Sequence, residues 1–223
     1  MKKKKKVRIR FTGILIILLL LYLLFYLVNY ILDRRITNIY ISGNYYLKDY
    51  EIISLAGLED YPSNLKNSSK KISSNLENSI YILDAKVTKK FRKVYIEVKE
   101  NRPLYYNKNT NKTVLSDKAE TDNIYHVPTL LNYIPDTIID NFIKSMNMLD
   151  IDILERISEI EYDPKDGDEY KFLLTMNDGN YVYLTLTGNS FKKLNSYPAM
   201  LKKFDGKKGI LNLDYGNYLE SYK

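Results

Sequence analysis

Residues Phe11–Leu32 form the run FTGILIILLLLYLLFYLVNYIL, which contains no charge. As a helix it would extend about 33 Å, enough for a hydrocarbon core about 30 Å thick. Inside lipid the backbone must satisfy its own hydrogen bonds, so a single crossing segment has to be helical. Tyr22, Tyr26 and Tyr30 recur every four residues. Tyr30 belongs at the outer interface, where its hydroxyl stays wet. Tyr22 and Tyr26 are either a helix-packing face or lipid-facing positions.

The flanks give the run a direction. Residues 1–10 hold seven Lys and Arg and no acid, whereas Asp33, Arg34 and Arg35 follow it. The positive-inside bias places the N-terminus in the cytoplasm. NYILDRR offers no small residues for a cleavage site, so the helix is expected to stay as an anchor. The tail also explains the net charge of +7: without it, 27 basic residues face 27 acidic ones. A duplex-binding domain needs a basic face of its own, and the balance supplies no reason to expect a nucleic-acid partner. The absence of Cys removes disulfides, thiolate metal sites and cysteine nucleophiles.

Beyond the anchor the pattern divides at 103/104. In residues 36–103, a strand at 36–41 runs into a turn at Gly43 and Asn44. LKDYEIISLAGL reads as a helix with Leu47, Tyr50, Ile53, Leu55 and Ala56 on one side and Gly57 as its stop. Leu65, Ser69, Ile72 and Leu76 mark a second helix. Strands follow around Ala85 and Val87 and through Val94, Ile96 and Val98, joined by a tight connection at FRK. The expected order is strand, helix, helix, strand, strand, with both helices on one face.

Residues 104–223 are expected to form a mostly antiparallel β domain with two or three helices. LYYNKNTNKTVLSDKAE reads as strands and polar turns, and VPTL (127–130) as a connector. An amphipathic helix runs through Ile138, Ile139, Phe142, Ile143, Met146 and Leu149. ISEIEYD is a strand, and KFLLTM and YVYLTL are joined by an NDGN hairpin, where Gly179 tolerates positive φ. SFKKLNSYPAMLKKF is a helix with Ser190 as N-cap and a break near Pro198. Two short strands around Tyr215 and Gly216 finish the chain.

These segments resemble the bacterial cell-division family FtsQ/DivIB. Gly43 and Asn44, Glu51 to Ile53, Val87 and Lys89, and Glu100 with Pro103 match its POTRA domain in order and spacing. Asn177, Asp178 and Gly179, Lys193 and Leu194, Gly209, and Ile210 to Leu213 match its β domain. One departure is DKAE (117–120), where members often have Asp followed closely by Gly.

The resemblance implies a non-enzymatic divisome scaffold at the septum, with no cofactor. Its partners would be the membrane, the single-pass proteins FtsB/DivIC and FtsL, and septal wall synthases. The implied partner-binding strand comprises Tyr215, Gly216, Asn217, Tyr218, Leu219, Glu220, Ser221 and Tyr222. A terminal strand that leaves its edge open is a template for a partner strand; an internal or charge-blunted strand is the alternative. Tyr218 and Tyr222 would share one face, Leu219 and Ser221 the other. Lys192 and Lys193, at the start of a neighbouring helix, could pair with partner acids.

Two other classes compete. A POTRA-bearing chaperone or export component would usually repeat the unit, and one unit is seen. A wall enzyme could use Ser-x-x-Lys, which occurs at Ser63/Lys66, Ser68/Lys71 and Ser190/Lys193. Three occurrences in a Ser- and Lys-rich chain, with no Lys-Thr-Gly or Lys-Ser-Gly, read as chance. Glu155, Glu159, Glu161 and Asp163 read as a solvated surface rather than a glycosidase pair. Asp163, Asp166 and Asp168 lack EF-hand spacing. His126, the sole histidine, reads as a loop or strand-edge residue.

Overall fold

The computed structural model describes residues 11–186, 189–203, 207–214 and 218–221. Helix α1 (Phe11–Leu32) is long and apolar enough to cross a membrane. Its apolar side chains are exposed all round, which is costly in water and favourable in lipid. The basic residues 2–10 lie outside the described residues. The chain forms two compact units, residues 1–100 and 101–223.

The first unit follows α1 with β1 (Asn38–Ser42), α2 (Asp49–Leu55), α3 (Ser69–Glu77), β2 (Ile82–Lys90) and β3 (Lys93–Glu100). The sheet order is β1-β3-β2, with β1 parallel and β2 antiparallel to β3. Alternation in β3 buries Val94, Ile96 and Val98 against Ile52, Ile72 and Leu76 of the two helices. Ser68 caps α3, its hydroxyl accepting from the Lys71 amide at 3.2 Å. Leu65 lies before that cap and is exposed, so it is not part of the helical stripe. Tyr50 is also exposed, and Ile52 instead turns inward from α2.

Two residues singled out by the family pattern meet at the far end of this sheet. Gly43 has φ +86°, and a β-carbon there would lie 2.2 Å from the Val98 carbonyl oxygen, so only Gly fits. The turn it starts presents the amides of Tyr45, Tyr46 and Leu47 to the Glu100 carboxylate at 2.8–2.9 Å. Lys89 works at the other end. Its ammonium donates to the carbonyls of Asn64 and Asn67, and burial lowers its pKa.

The second unit contains β4 (Pro103–Asn107), β5 (Lys112–Leu115), β6 (Glu120–Thr121), β7 (Thr129–Leu130), α4 (Asp136–Met146), α5 (Ile151–Leu154) and β8 (Ile157–Tyr162). It continues with β9 (Lys171–Met176), β10 (Tyr181–Thr185), α6 (Ser190–Leu194), α7 (Tyr197–Lys203), β11 (Gly209–Asn212) and β12 (Tyr218–Ser221). One sheet runs β12-β11-β10-β9-β8-β7-β4-β5-β6. Five of its eight pairings are antiparallel and three are parallel. Phe142 of α4 anchors the core, stacked on Phe172 at 4.9 Å and edge-on to Tyr105 at 5.3 Å.

Several sequence expectations shift here. The units part at 100/101 rather than 103/104, because residues 101–103 bond to the second unit. Asn101 accepts from the Ser116 hydroxyl, Arg102 donates to the carbonyls of Met146 and Leu149, and Pro103 pairs with Leu115. The presumed connector at 127–130 supplies β7, a central strand. Among the described residues this unit has four helical segments, because the last predicted helix is split in two. The predicted C-terminal helix divides into α6 and α7 at Asn195 and Ser196, just before Pro198. Its N-cap is Asn189, and Ser190 is the first helical residue. Where the family pattern has Gly, Lys118 adopts φ +79° and still closes the β5–β6 turn, with the Asp117 carboxylate accepting from the Ala119 amide.

Glu100→Ala leaves three turn amides without their acceptor and is expected to cost about 2 kcal/mol. Urea unfolding of the purified chain should show this as a lower midpoint with an unchanged slope.

A candidate partner-binding edge

The implied binding strand falls on β12. Tyr218, Glu220 and Ser221 are exposed, whereas Leu219 is partly buried against the main core. Leu219 alone turns toward the core, and Ser221 on the same face stays exposed. Tyr215, Gly216, Asn217 and Tyr222 lie outside the described residues. β12 ends the strand order and pairs antiparallel with β11, through Gly209↔Ser221, Ile210↔Glu220, Leu211↔Leu219 and Asn212↔Tyr218.

Gly209 makes this pairing close. A β-carbon there would sit 2.0 Å from the Glu220 carbonyl oxygen. Any other residue must push the last strand outward.

The start of β11 is fixed by a buried polar cluster. Asn180 accepts from the Gly209 amide at 3.0 Å. Its own amide group donates to Asp178 at 3.0 Å and to the Tyr197 hydroxyl at 3.1 Å. Tyr197 donates in turn to the Asp178 carboxylate at 2.9 Å, and Lys208 donates to the Asp178 carbonyl. The NDGN hairpin, with Gly179 at φ +84°, thus couples β9 and β10 to α7 and β11. The far end of β11 is held by Asp214, which accepts from the Thr185 amide at 2.8 Å and the Ser190 hydroxyl at 3.2 Å.

The two candidate lysines differ in setting. Lys193 donates to the Leu213 carbonyl at 3.1 Å and so ties α6 to the end of β11. Lys192 is exposed and lines a cleft of about 190 Å³ with Lys144, Ser145 and Phe191.

The serines of the Ser-x-x-K patterns all make structural bonds. Ser63 bonds the Asp33 carboxylate and accepts from the Lys66 amide, Ser68 caps α3, and Ser190 bonds Asp214. Glu159 and Glu161 are exposed on the same face of β8, and His126 is exposed. Among the described residues no group of three or more His, Cys, Asp or Glu is placed to hold a metal.

Sequence reasoning missed Asp178, Asn180, Tyr197 and Asp214 as supports of this edge. The NDGN motif was the available signal for the first two, but it reads only as a turn. Tyr197 and Asp214 lie too far along the chain for spacing to connect them to it.

Gly209→Ala is expected to displace β12 selectively. Hydrogen exchange at 218–221 should accelerate at least about tenfold, while exchange in β8 and β9 is unchanged. Alkaline pH provides a second check. Burial, reinforced by Asp178, raises the Tyr197 pKa. The unfolded chain ionises this hydroxyl near pH 10 while the folded chain keeps the proton, so stability falls as pH rises past that point. Tyr197→Phe should flatten the fall, as measured by urea unfolding between about pH 8.5 and 11. Tyr105, also raised by burial, accounts for part of the slope that persists.

Residues 34–101 match the family model described as POTRA domain, FtsQ-type. The cell division protein DivIB of Listeria monocytogenes serovar 1/2a is 28% identical over 234 residues, covering 99% of this chain and 85% of its own length. DivIB of Bacillus anthracis is 28% identical over 231 residues, covering 97% and 84%. DivIB of Bacillus subtilis strain 168 is 25% identical over 199 residues, covering 84% and 74%. Among solved structures, the extracytoplasmic domain of DivIB from Geobacillus stearothermophilus overlaps 47% of this chain and 93% of its own, with a TM-score of 0.38 and 24% identity. An apolar helix at the N-terminal end, an FtsQ-type POTRA domain at 34–101 and similarity to DivIB proteins along nearly the whole chain together support the FtsQ/DivIB family of bacterial cell-division proteins.

Proposed function

We propose that this protein is a non-enzymatic, single-pass scaffold of the bacterial division complex. Its N-terminus lies in the cytoplasm, its two outer units lie outside, and it acts at the septum. It holds FtsB/DivIC-like and FtsL-like single-pass proteins, and through them helps control septal wall synthases. The observation that carries the reading is similarity to cell division protein DivIB over 99% of the chain. The positive-inside bias of the seven basic residues at 1–10 supports the orientation.

The proposed contact is β12 with the residues flanking it. A partner strand added along Tyr218, Leu219 and Glu220 would gain affinity from backbone hydrogen bonds, and specificity from Tyr218 and Tyr222. Lys192, exposed on α6, is the better candidate of the two lysines for pairing with a partner acid, because Lys193 already bonds Leu213.

Replacing Tyr218 and Leu219 together by Pro removes two amide donors. Affinity of the full-length chain for the DivIC and FtsL ectodomains should fall on the order of tenfold or more. Tyr218→Ala keeps the amide and should lose only about threefold. Unchanged affinity in the double-Pro variant, with circular dichroism intact, would sink the edge-strand mechanism.

A further inference from the structure

The anchor and the first outer unit are joined almost without a linker. α1 ends at Leu32. The Arg34 carbonyl already accepts from the Asn64 amide at 3.0 Å, and Arg35 forms a bridge with Ser63. The Ser63 hydroxyl bonds Asp33, and the Arg35 carbonyl accepts from the Arg92 side chain at 2.8 Å. Asn64 donates to the Phe91 carbonyl at 2.9 Å, which joins the loop at 61–66 to the β2–β3 hairpin. Both segments are thereby drawn to the end of a helix that must emerge at the membrane interface.

Their side chains combine two features. Phe91 sits at the hairpin tip with φ +56°, where Gly or Asn is usual, and is 74% exposed. Leu65 and Tyr61 are exposed in the linked loop, at 44% and 45%. Around them, residues 33–35, 61–66 and 90–93 carry Arg34, Arg35, Lys66, Lys90, Arg92 and Lys93 against the single acid Asp33. Glu59 and Asp60 lie just outside this set. A cleft of about 710 Å³ opens between the helix end and the loop, lined in part by Asn29, Tyr30, Arg34, Leu65 and Lys66.

We propose that this end of the POTRA domain rests on the outer leaflet and binds anionic phospholipid. Phe91 and Leu65 enter the headgroup–acyl boundary, and the surrounding Arg and Lys side chains engage lipid phosphates. Apolar side chains ringed by cations are the composition of interfacial membrane-binding surfaces. Chain continuity is what selects lipid as the occupant: two residues past the hydrocarbon, the domain has no reach to leave the surface.

The protein has no Trp, so a single introduced Trp reports one position. Full-length Phe91→Trp and Tyr45→Trp variants would be reconstituted in phosphatidylcholine vesicles with and without phosphatidylglycerol, including lipids bearing a doxyl quencher near the headgroup. Tyr45 follows the opposite end of β1 and is exposed. With phosphatidylglycerol, position 91 should emit to the blue of position 45 and be quenched at least about twofold more. Changing the exposed Lys90 and Lys93 to Glu, which leaves the Arg92–Arg35 bond in place, should remove most of that difference. Equal quenching at 91 and 45 would overturn the proposal. Quenching at 91 that is as strong in phosphatidylcholine alone would overturn the anionic-lipid assignment. Leu65→Trp offers the same reading in a second position should Phe91→Trp fold poorly.

Discussion

A membrane helix can hand its chain to a folded domain through a flexible linker or through hydrogen bonds, and here it uses hydrogen bonds. The Asp33 amide still donates to Asn29 at 2.7 Å, continuing the helical pattern, and the next residue is already bonded to the loop at Asn64. The hydrocarbon fixes where Leu32 must be, so the bonds at Asp33, Arg34 and Arg35 fix where the POTRA domain begins. Lys89 strengthens this junction by bridging the carbonyls of Asn64 and Asn67 from β2. The loop that receives the helix is thus pinned by the sheet behind it.

The second unit concentrates its polar order at one end of its sheet. Asp178, Asn180 and Tyr197 form a closed set of buried and part-buried hydrogen bonds that ends on the Gly209 amide, and Gly209 in turn admits the Glu220 backbone. Buried networks of this kind are costly when one member is lost. They suit a place where one strand must be held in one register. β12 itself buries only part of Leu219, so its position depends on that support more than on its own apolar area.

The sequence disclosed whatever repeats or runs long. The charge-free stretch gave α1, the two-residue period gave Val94, Ile96 and Val98, and the helical period gave Ile138, Phe142 and Met146. Short elements escaped. β7 contributes two residues to the sheet and has no room for an alternation, so 127–130 read as a connector. In α2, seven residues long, Tyr50 counted as apolar, yet its hydroxyl lets it face water while Ile52 is buried. Ser190 resembled a cap by residue type, but Asp214, brought close only by the fold, takes its hydroxyl. The candidate strand was visible through family resemblance; Gly209's close approach was not, because it depends on a backbone eleven residues away. DKAE departed from the family pattern without losing the turn, since Lys118 adopts the left-handed conformation that Gly would supply at less cost.

The central claim is that this anchored chain works by lending the edge of β12 to a partner. Hydrogen exchange of the full-length protein, with and without a DivIC or FtsL ectodomain, addresses it most directly. The account predicts that the amides of Tyr218–Ser221 that point away from β11 slow by about tenfold or more on binding, with β9 unaffected. Binding that leaves those outward amides unchanged and protects another surface would contradict it.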